Sequence, residues 1–319
     1  MIYIVLFVVF LGFELLYFRI ADHFNIIDKP NERSSHSIVT LRGGGIVFYF
    51  AALTYFFING FPFPWFYLGL TLMVIVSFLD DIFTLSNKIR LLIHFSSVVL
   101  LTIELGMFSF PWYYLLISFI VIVGVINAYN FMDGINGITV SYSIAIMTLF
   151  IIVDAKFDFI DNDLLIYMVL SLLVFGIFNF RRQAKCFAGD VGSVSIAFII
   201  LFILGLLIIK SNNLIYILFL SVYGIDTVWT IVNRLLKKEN IFKAHRSHLY
   251  QYLANEVGFN KLSVAICYGL LQFFIGILII QFTGASVENQ FILAILILLG
   301  LSLIYLVLKK YIVKRYVVH

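Results

Sequence analysis

The chain has 319 residues, of which 63% are apolar and only 12% charged, with a formal net charge of +4. An ordinary soluble domain carries roughly 25% charged residues, so this composition excludes one and points to an integral membrane protein. The small positive charge gives no reason to expect a nucleic-acid partner, because topology accounts for it, as shown below.

A helix that crosses a bilayer needs about 20 mostly apolar residues. Runs of that kind fall near 1–20, 44–62, 65–80, 91–107, 113–132, 137–153, 164–180, 191–209, 214–236, 263–282 and 290–308. The expected fold class is therefore an all-α integral membrane protein of about 11 transmembrane helices, forming one polytopic domain over 1–319. The first run has no basic segment before it and no A-x-A site after it, so it reads as a retained helix. With the N-terminus outside and the C-terminus cytoplasmic, 19 of the 21 basic residues lie on the inner side, and only Lys156 and Lys210 lie outside. That is the asymmetry the positive-inside rule describes. The outer 154–163 segment is acidic, with Asp154, Asp158, Asp161 and Asp163. Cys186 and Cys267 fall at or beside the cytoplasmic face, so no disulfide is expected.

Taken in chain order, the polar sequences collect on that inner side. Arg33 to His36 and Arg42 to Gly45 stand in the first long inner connection and form the weakest set. Asp80 and Asp81 end the apolar run Met73 to Leu79; adjacent carboxylates are costly in hydrocarbon and should face water, a cation or a partner. Asn127, Asn130 and Asp133 follow at intervals of three, which in a helix makes a drifting stripe of two amides and a carboxylate closed by Gly134 and Gly137. Asn179 precedes the basic stretch Arg181 to Lys185, and Gly189-Asp190-Val191-Gly192-Ser193 opens the eighth run. An Asp there is either an N-cap or a metal ligand beside backbone N–H groups that favour phosphate.

His245, Arg246 and His248 suit a diphosphate better than zinc, since neither a cysteine pair nor a third histidine has zinc spacing nearby. Leu249, Tyr252, Leu253 and Val257 then share one helical face, expected to lie along the inner membrane surface. Glu14, Glu104 and Asp226 lie in or near spans; Asp226 is either functional or a hydrogen-bonded structural carboxylate. Asp80, Asp81, Asp133 and Asp190 gathered at one face would repel one another without a cation. Mg²⁺ suits them, because it takes oxygen ligands, commonly one or two carboxylates plus substrate phosphates.

Over residues 28–253 the chain resembles the polyprenyl-phosphate N-acetylhexosamine-1-phosphate transferases. The matching motifs are Asp80-Asp81, Asn127 to Gly134 and Gly189 to Ser193, in family order. The resemblance implies transfer of an N-acetylhexosamine 1-phosphate from a UDP-sugar to undecaprenyl phosphate, with release of UMP, at the cytoplasmic face of a bacterial inner membrane. It makes Asp190 the principal Mg²⁺ ligand, with Mn²⁺ as an alternative ion, and puts Asp80 and Asp81 near the lipid phosphate and metal. Asn127, Asn130, Asn179, His245, Arg246 and His248 would hold the nucleotide-sugar or its diphosphate, and Asp133 the catalytic geometry. The His-Arg-Ser-His-x-Tyr-Gln run at 245–251 is similar to the branch that starts O-antigen or related surface glycans, rather than to the peptidoglycan enzyme, and a homodimer is compatible with the family. The rival class is a glycolipid transporter, disfavoured because transporters place polar sites near the bilayer midplane.

Overall fold

The structure is a computed structural model that describes residues 1–30, 38–83, 85–241 and 246–317. All eleven apolar runs are helical. In chain order the helices are α1 (Ile2–His23), α2 (Ile46–Ile58), α3 (Pro64–Phe83), α4 (Asn87–Glu104), α5 (Trp112–Met132), α6 (Ile138–Phe157), α7 (Asn162–Asn179), α8 (Gly189–Ser211), α9 (Ser221–Leu236), the single turn α10 (Leu249–Gln251), α11 (Lys261–Phe282) and α12 (Val287–Ile312). A 3₁₀ segment, Leu214–Leu220, leads into α9. Among the described residues nine helical stretches are long and apolar enough to cross a membrane. The other two runs fall short for visible reasons: α2 has 13 residues, and α4 carries Lys88, Arg90 and Glu104 within 18.

No helix has an internal proline. Pro64 opens α3 and Pro111 precedes α5, where the missing N–H costs nothing. The turn into α3 is capped from elsewhere, since the Glu104 carboxylate accepts from the backbone N–H groups of Trp65 and Phe66 at 2.7 and 3.1 Å. That capping explains an acidic residue at the end of an apolar run. The acidic 154–163 segment is tied in a similar way. Asp154 accepts from the N–H of Phe159 and Ile160, and Asp161 from the Tyr55 hydroxyl.

Helix α8 is the central column, buried on every side from Val191 to Leu204 and packed on α2, α3, α5 and α6. Such a helix must be apolar all round, as this one is. At its N-terminal end α2 approaches backbone to backbone: a Cβ on Gly45 would stand 2.4 Å from the Gly192 Cα. Helix α11 lies equally close to α6, where a Cβ on Gly269 would meet the Ser141 carbonyl oxygen at 2.6 Å. Gln272 on α11 accepts from the Tyr142 hydroxyl and the Val222 N–H and donates to the Leu218 carbonyl, binding α6, the 3₁₀ segment and α9 in the dry core.

Strands β1 (Ile27–Asp28) and β2 (Thr40–Leu41) pair antiparallel, and Leu41 bridges in parallel to Cys186. The ladder continues as Phe187 N–H to Leu41 O, Gly44 N–H to Phe187 O and Gly45 N–H to Ala188 O. This places residue 42 directly over the start of α8. The predicted apolar stripe packs onto the bundle: Leu249, Tyr252, Leu253 and Val257 cluster with Tyr305, Ile312 and Trp229 of α12 and α9. Burial against two helices removes more apolar surface from water than a grazing contact with lipid headgroups.

The Gly45–Gly192 contact gives a direct test. Gly45→Ala must separate two backbones and is expected to cost about 1–3 kcal/mol. By contrast, Gly205→Ala meets only the mobile end of Leu105. Thermal unfolding in detergent should show a clearly larger drop for the first; equal midpoints would contradict the packing described.

Candidate active site

Five elements converge at one end of the bundle. Helix α3 ends on Asp80 and Asp81, α5 ends just before Asp133, α8 begins at Gly189, α4 brings Arg90, and the β2–α2 turn brings Arg42. Asp81 has a completely buried side chain, which accepts from the backbone N–H of Asp190 and Val191 at 3.3 Å each. It therefore sits where the N-terminus of α8 favours negative charge. Gly189 permits this approach: its φ is +71°, and a Cβ would stand 2.7 Å from an Asp81 oxygen and 2.8 Å from the Gly43 nitrogen.

Two arginines close the cluster. Arg42 Nε contacts Asp81 at 2.8 Å and its Nη2 contacts Asp190 at 3.1 Å. Arg90 Nη1 contacts Asp80 at 2.8 Å and its Nη2 reaches the other Asp190 oxygen at 3.5 Å. Asp190 thus bridges two guanidinium groups and stays 20% exposed, while Asp80 also accepts from the Leu85 N–H and shapes the turn after α3. The Arg42 guanidinium loses hydration on burial, yet Asp81 and Asp190 more than offset this and raise its pKa.

Asp190 and Arg42 form part of the wall of a cavity of about 240 Å³. Asp28, Asn130, Asp133, Asn136, Asn179, Ser193 and Gln251 complete its polar lining. Asn130 donates to Ser193 at 3.3 Å, linking the second motif to the third. Asn179 donates to the Cys186 carbonyl and accepts from the Gly137 N–H, while Asn136 donates to the carbonyls of Arg181 and Arg182. Asp133 accepts from the Thr139 hydroxyl. Burial pushes its carboxyl up to about 6, Asp190 adds to the rise, and Thr139 and Arg42 oppose it.

Asn127, His248 and Arg246 do not line this wall. Asn127 is exposed and donates to the Val123 carbonyl, because each three-residue step turns a helix short of a full circle by about 60° and two steps carry Asn127 away from Asp133. His248 is 1% exposed and its Nδ1 lies 3.1 Å from Asp226. Asp226 also receives the N–H groups of Leu249 and Tyr250 and the hydroxyls of Tyr268 and Thr230, so it is a hydrogen-bonded structural carboxylate. Arg246 pairs with Glu256 at 3.5 Å, off the cavity wall. His245, and Arg33 to His36, lie outside the described residues.

Arg90 belongs to the site without having been singled out, and Asn136 and Gln251 join it from the second and fourth motifs, where no role had been assigned to them. Arg90 had a legible signal, as a lone arginine opening an apolar helix ten residues after a carboxylate pair. Arg42, from the weakest sequence set, holds the centre.

No three His, Cys, Asp or Glu side chains among the described residues form a cage for a metal on their own. Hard oxygen donors beside a polar cavity nonetheless fit Mg²⁺, which keeps water and substrate phosphates as ligands and needs only one or two carboxylates. Of the three carboxylates on the cavity wall, Asp28, Asp133 and Asp190, only Asp190 also pairs with both Arg42 and Arg90 beside Asp80 and Asp81, and it is the one placed to serve. Asp81 would join it after release from Arg42.

Carboxylates and guanidinium groups around an amide-lined cavity, at the end of a bundle of helices apolar enough to cross a membrane, suit an anionic, oxygen-rich ligand. Residues 63–210 match the family model described as glycosyl transferase family 4. The chain is 27% identical to a probable undecaprenyl-phosphate N-acetylglucosaminyl 1-phosphate transferase of Bacillus subtilis (strain 168), over 88% of this chain and 84% of that one. It is 25% identical to an undecaprenyl-phosphate alpha-N-acetylglucosaminyl 1-phosphate transferase of Thermotoga maritima, over 81% and 83%. A protein of that same description from Salmonella typhi is 27% identical, over 93% and 86%. These matches support the polyprenyl-phosphate N-acetylhexosamine-1-phosphate transferases as the family this chain is similar to.

Two outcomes follow from this geometry. Asp226→Leu strands at least four donors and should destabilise the protein by about 3 kcal/mol or more, read as a fall in unfolding temperature; a change below 1 kcal/mol would show that the carboxylate is not the anchor. Asp133 is raised above the ordinary carboxylate value of roughly 3.9, so the folded state holds its proton longer than the unfolded chain does. Its contribution is present below about pH 4 and is lost as pH rises through about 6. In the metal-free protein, stability relative to Asp133→Asn should therefore fall across that window, and a flat difference would contradict the burial described.

Proposed function

We propose that the protein transfers an N-acetylhexosamine 1-phosphate from a UDP-sugar to undecaprenyl phosphate, with N-acetylglucosamine as the first sugar to test because the relatives' names specify it. The observation that carries this reading is Asp190 held between Arg42 and Arg90, beside Asp80 and Asp81 and on the wall of a polar cavity. In the reaction a lipid-phosphate oxygen attacks the β-phosphorus of the donor. The new P–O–P linkage forms as the bond from the β-phosphorus to the bridging oxygen breaks, and UMP leaves with that oxygen and its electron pair.

A phosphate monoester is mostly dianionic at pH 7, so the acceptor attacks without a strong base. Asp80, oriented by Arg90, positions it or removes a residual proton. Asp190, with Asp81 as second ligand, would hold Mg²⁺ or Mn²⁺, which when bound neutralises charge on the diphosphate. Arg42 and Arg90, beside those carboxylates, would offer part of their charge to the phosphates. Asn130, Asn136, Asn179 and Gln251 offer the donors and acceptors that a uracil edge or an acetamido sugar requires, and Asp133 holds the turn from α5 to α6 against them.

The basic bias of the connections that carry these residues supports a cytoplasmic active face in a bacterial inner membrane, where a soluble nucleotide-sugar is available. The product would begin O-antigen or a related surface glycan.

The test combines purified protein with undecaprenyl phosphate, Mg²⁺ and a panel of UDP-N-acetylhexosamines, and follows UMP and lipid-linked product. UMP release should require both the lipid and the ion, and Asp190→Asn or Asp81→Asn should lower it at least about 100-fold in folded protein. Near-normal turnover in both variants would overturn the assignment.

A further inference from the structure

The end of the bundle that carries the motifs holds a second cavity, of about 370 Å³, between the last turns of α9, residues 247–252 and the last turns of α12. Four cations stand on its wall, Arg234, Lys237, Lys309 and Lys310, against a single carboxylate, Glu239. Glu239 is already taken by Arg234 Nε at 3.0 Å. Among the described residues no carboxylate forms an ion pair with Lys237, Lys309 or Lys310.

Lys309 is the most telling of the four. It is 9% exposed, and its ammonium donates to the Tyr305 hydroxyl and, at 3.5 Å, to the Thr230 hydroxyl, over the rings of Tyr305 and Tyr252 at 4.9 and 5.7 Å. Hydroxyls and ring faces soften the burial of a cation but do not neutralise it. A charge so placed, with no carboxylate among the described residues in direct ion-pair contact, suits an anion as its partner.

The rest of the wall states what kind of anion. Leu306 and Val313 supply apolar surface beside the lysines, and the same stretch of α12 turns Leu303, Ile304 and Val307 outward, over half exposed. On a helix long and apolar enough to cross a membrane, such side chains suit contact with lipid. A ligand entering here meets basic groups at the membrane surface and acyl-chain contacts just below them, which is the arrangement that selects lipid headgroups.

We propose that this cavity binds the phosphate headgroup of an anionic membrane lipid, apart from the catalytic cavity. Its occupant would also brace the active site. Thr230 hydrogen-bonds Asp226, Asp226 holds the N–H of Tyr250, and the next residue, Gln251, lines the catalytic cavity.

The proposal is independent of the transfer reaction, and its test reads binding. Full-length protein is placed in nanodiscs of phosphatidylcholine with and without phosphatidylglycerol; retained lipid is counted by native mass spectrometry and the unfolding midpoint is recorded. Phosphatidylglycerol should be retained and should raise the midpoint. The double variant Lys237→Gln/Lys310→Gln should bind it about thirtyfold more weakly, at the usual strength of two basic residues near an anionic surface, with its midpoint in phosphatidylcholine unchanged. Lys→Arg at both positions should restore the effect. The proposal is overturned if the double variant keeps the full phosphatidylglycerol effect, if the wild type shows none, or if inorganic phosphate alone reproduces it, which would make the cavity a site for a free anion.

Discussion

The fold must hold three aspartates, on two different helices, within a few ångströms of one another at the end of an apolar bundle. Repulsion alone would drive those groups apart or keep them protonated. Arg42 and Arg90 resolve the conflict by each spanning two carboxylates, and Asp190 is the carboxylate they share. Much of the surrounding architecture serves this arrangement. The Leu41–Cys186 bridge sets Arg42 above α8, the Gly45–Gly192 contact brings α2 against α8, and the N-terminus of α8 receives Asp81.

A second carboxylate performs the complementary task in the dry interior. Asp226 is fully enclosed and collects an imidazole, two backbone N–H groups and two hydroxyls. It fixes the start of the 248–251 turn, and the Tyr250 hydroxyl carries that order to the Phe131 carbonyl at the end of α5, two residues before Asp133. The carboxylates paired with Arg42 and Arg90 can exchange those partners for a ligand, whereas the enclosed one spends all its hydrogen-bonding capacity on the protein.

The helices were legible because a bilayer demands long apolar runs and tolerates few breaks, so every run in the sequence became a helix. Asp80, Asp81, Asp133 and Asp190 were legible for a related reason: polar groups at the ends of such runs stand out against the background. Partner choice was not. The sequence shows His248 beside an arginine and suggests a phosphate contact, but only the packing of α9 against the 248–251 turn reveals Asp226 as the neighbour of its ring. Arg42 was hard to rank for the same reason, since its role depends on a strand-like pairing between segments more than 140 residues apart. Asn127 shows the limit of spacing arguments, because a three-residue interval drifts around a helix and the cavity accepts only the last two members of the series.

The claim that the arginines exist to hold the carboxylates is tested most directly by a double-mutant cycle on Arg42 and Asp81, read as unfolding temperature in detergent. Removing the guanidinium alone leaves Asp81 buried beside Asp190 without its counter-charge. Arg42→Gln should therefore destabilise more than Arg42→Gln/Asp81→Asn, with the loss largely recovered in the double variant. Strictly additive losses would contradict the account and mean that the two side chains stabilise the fold independently.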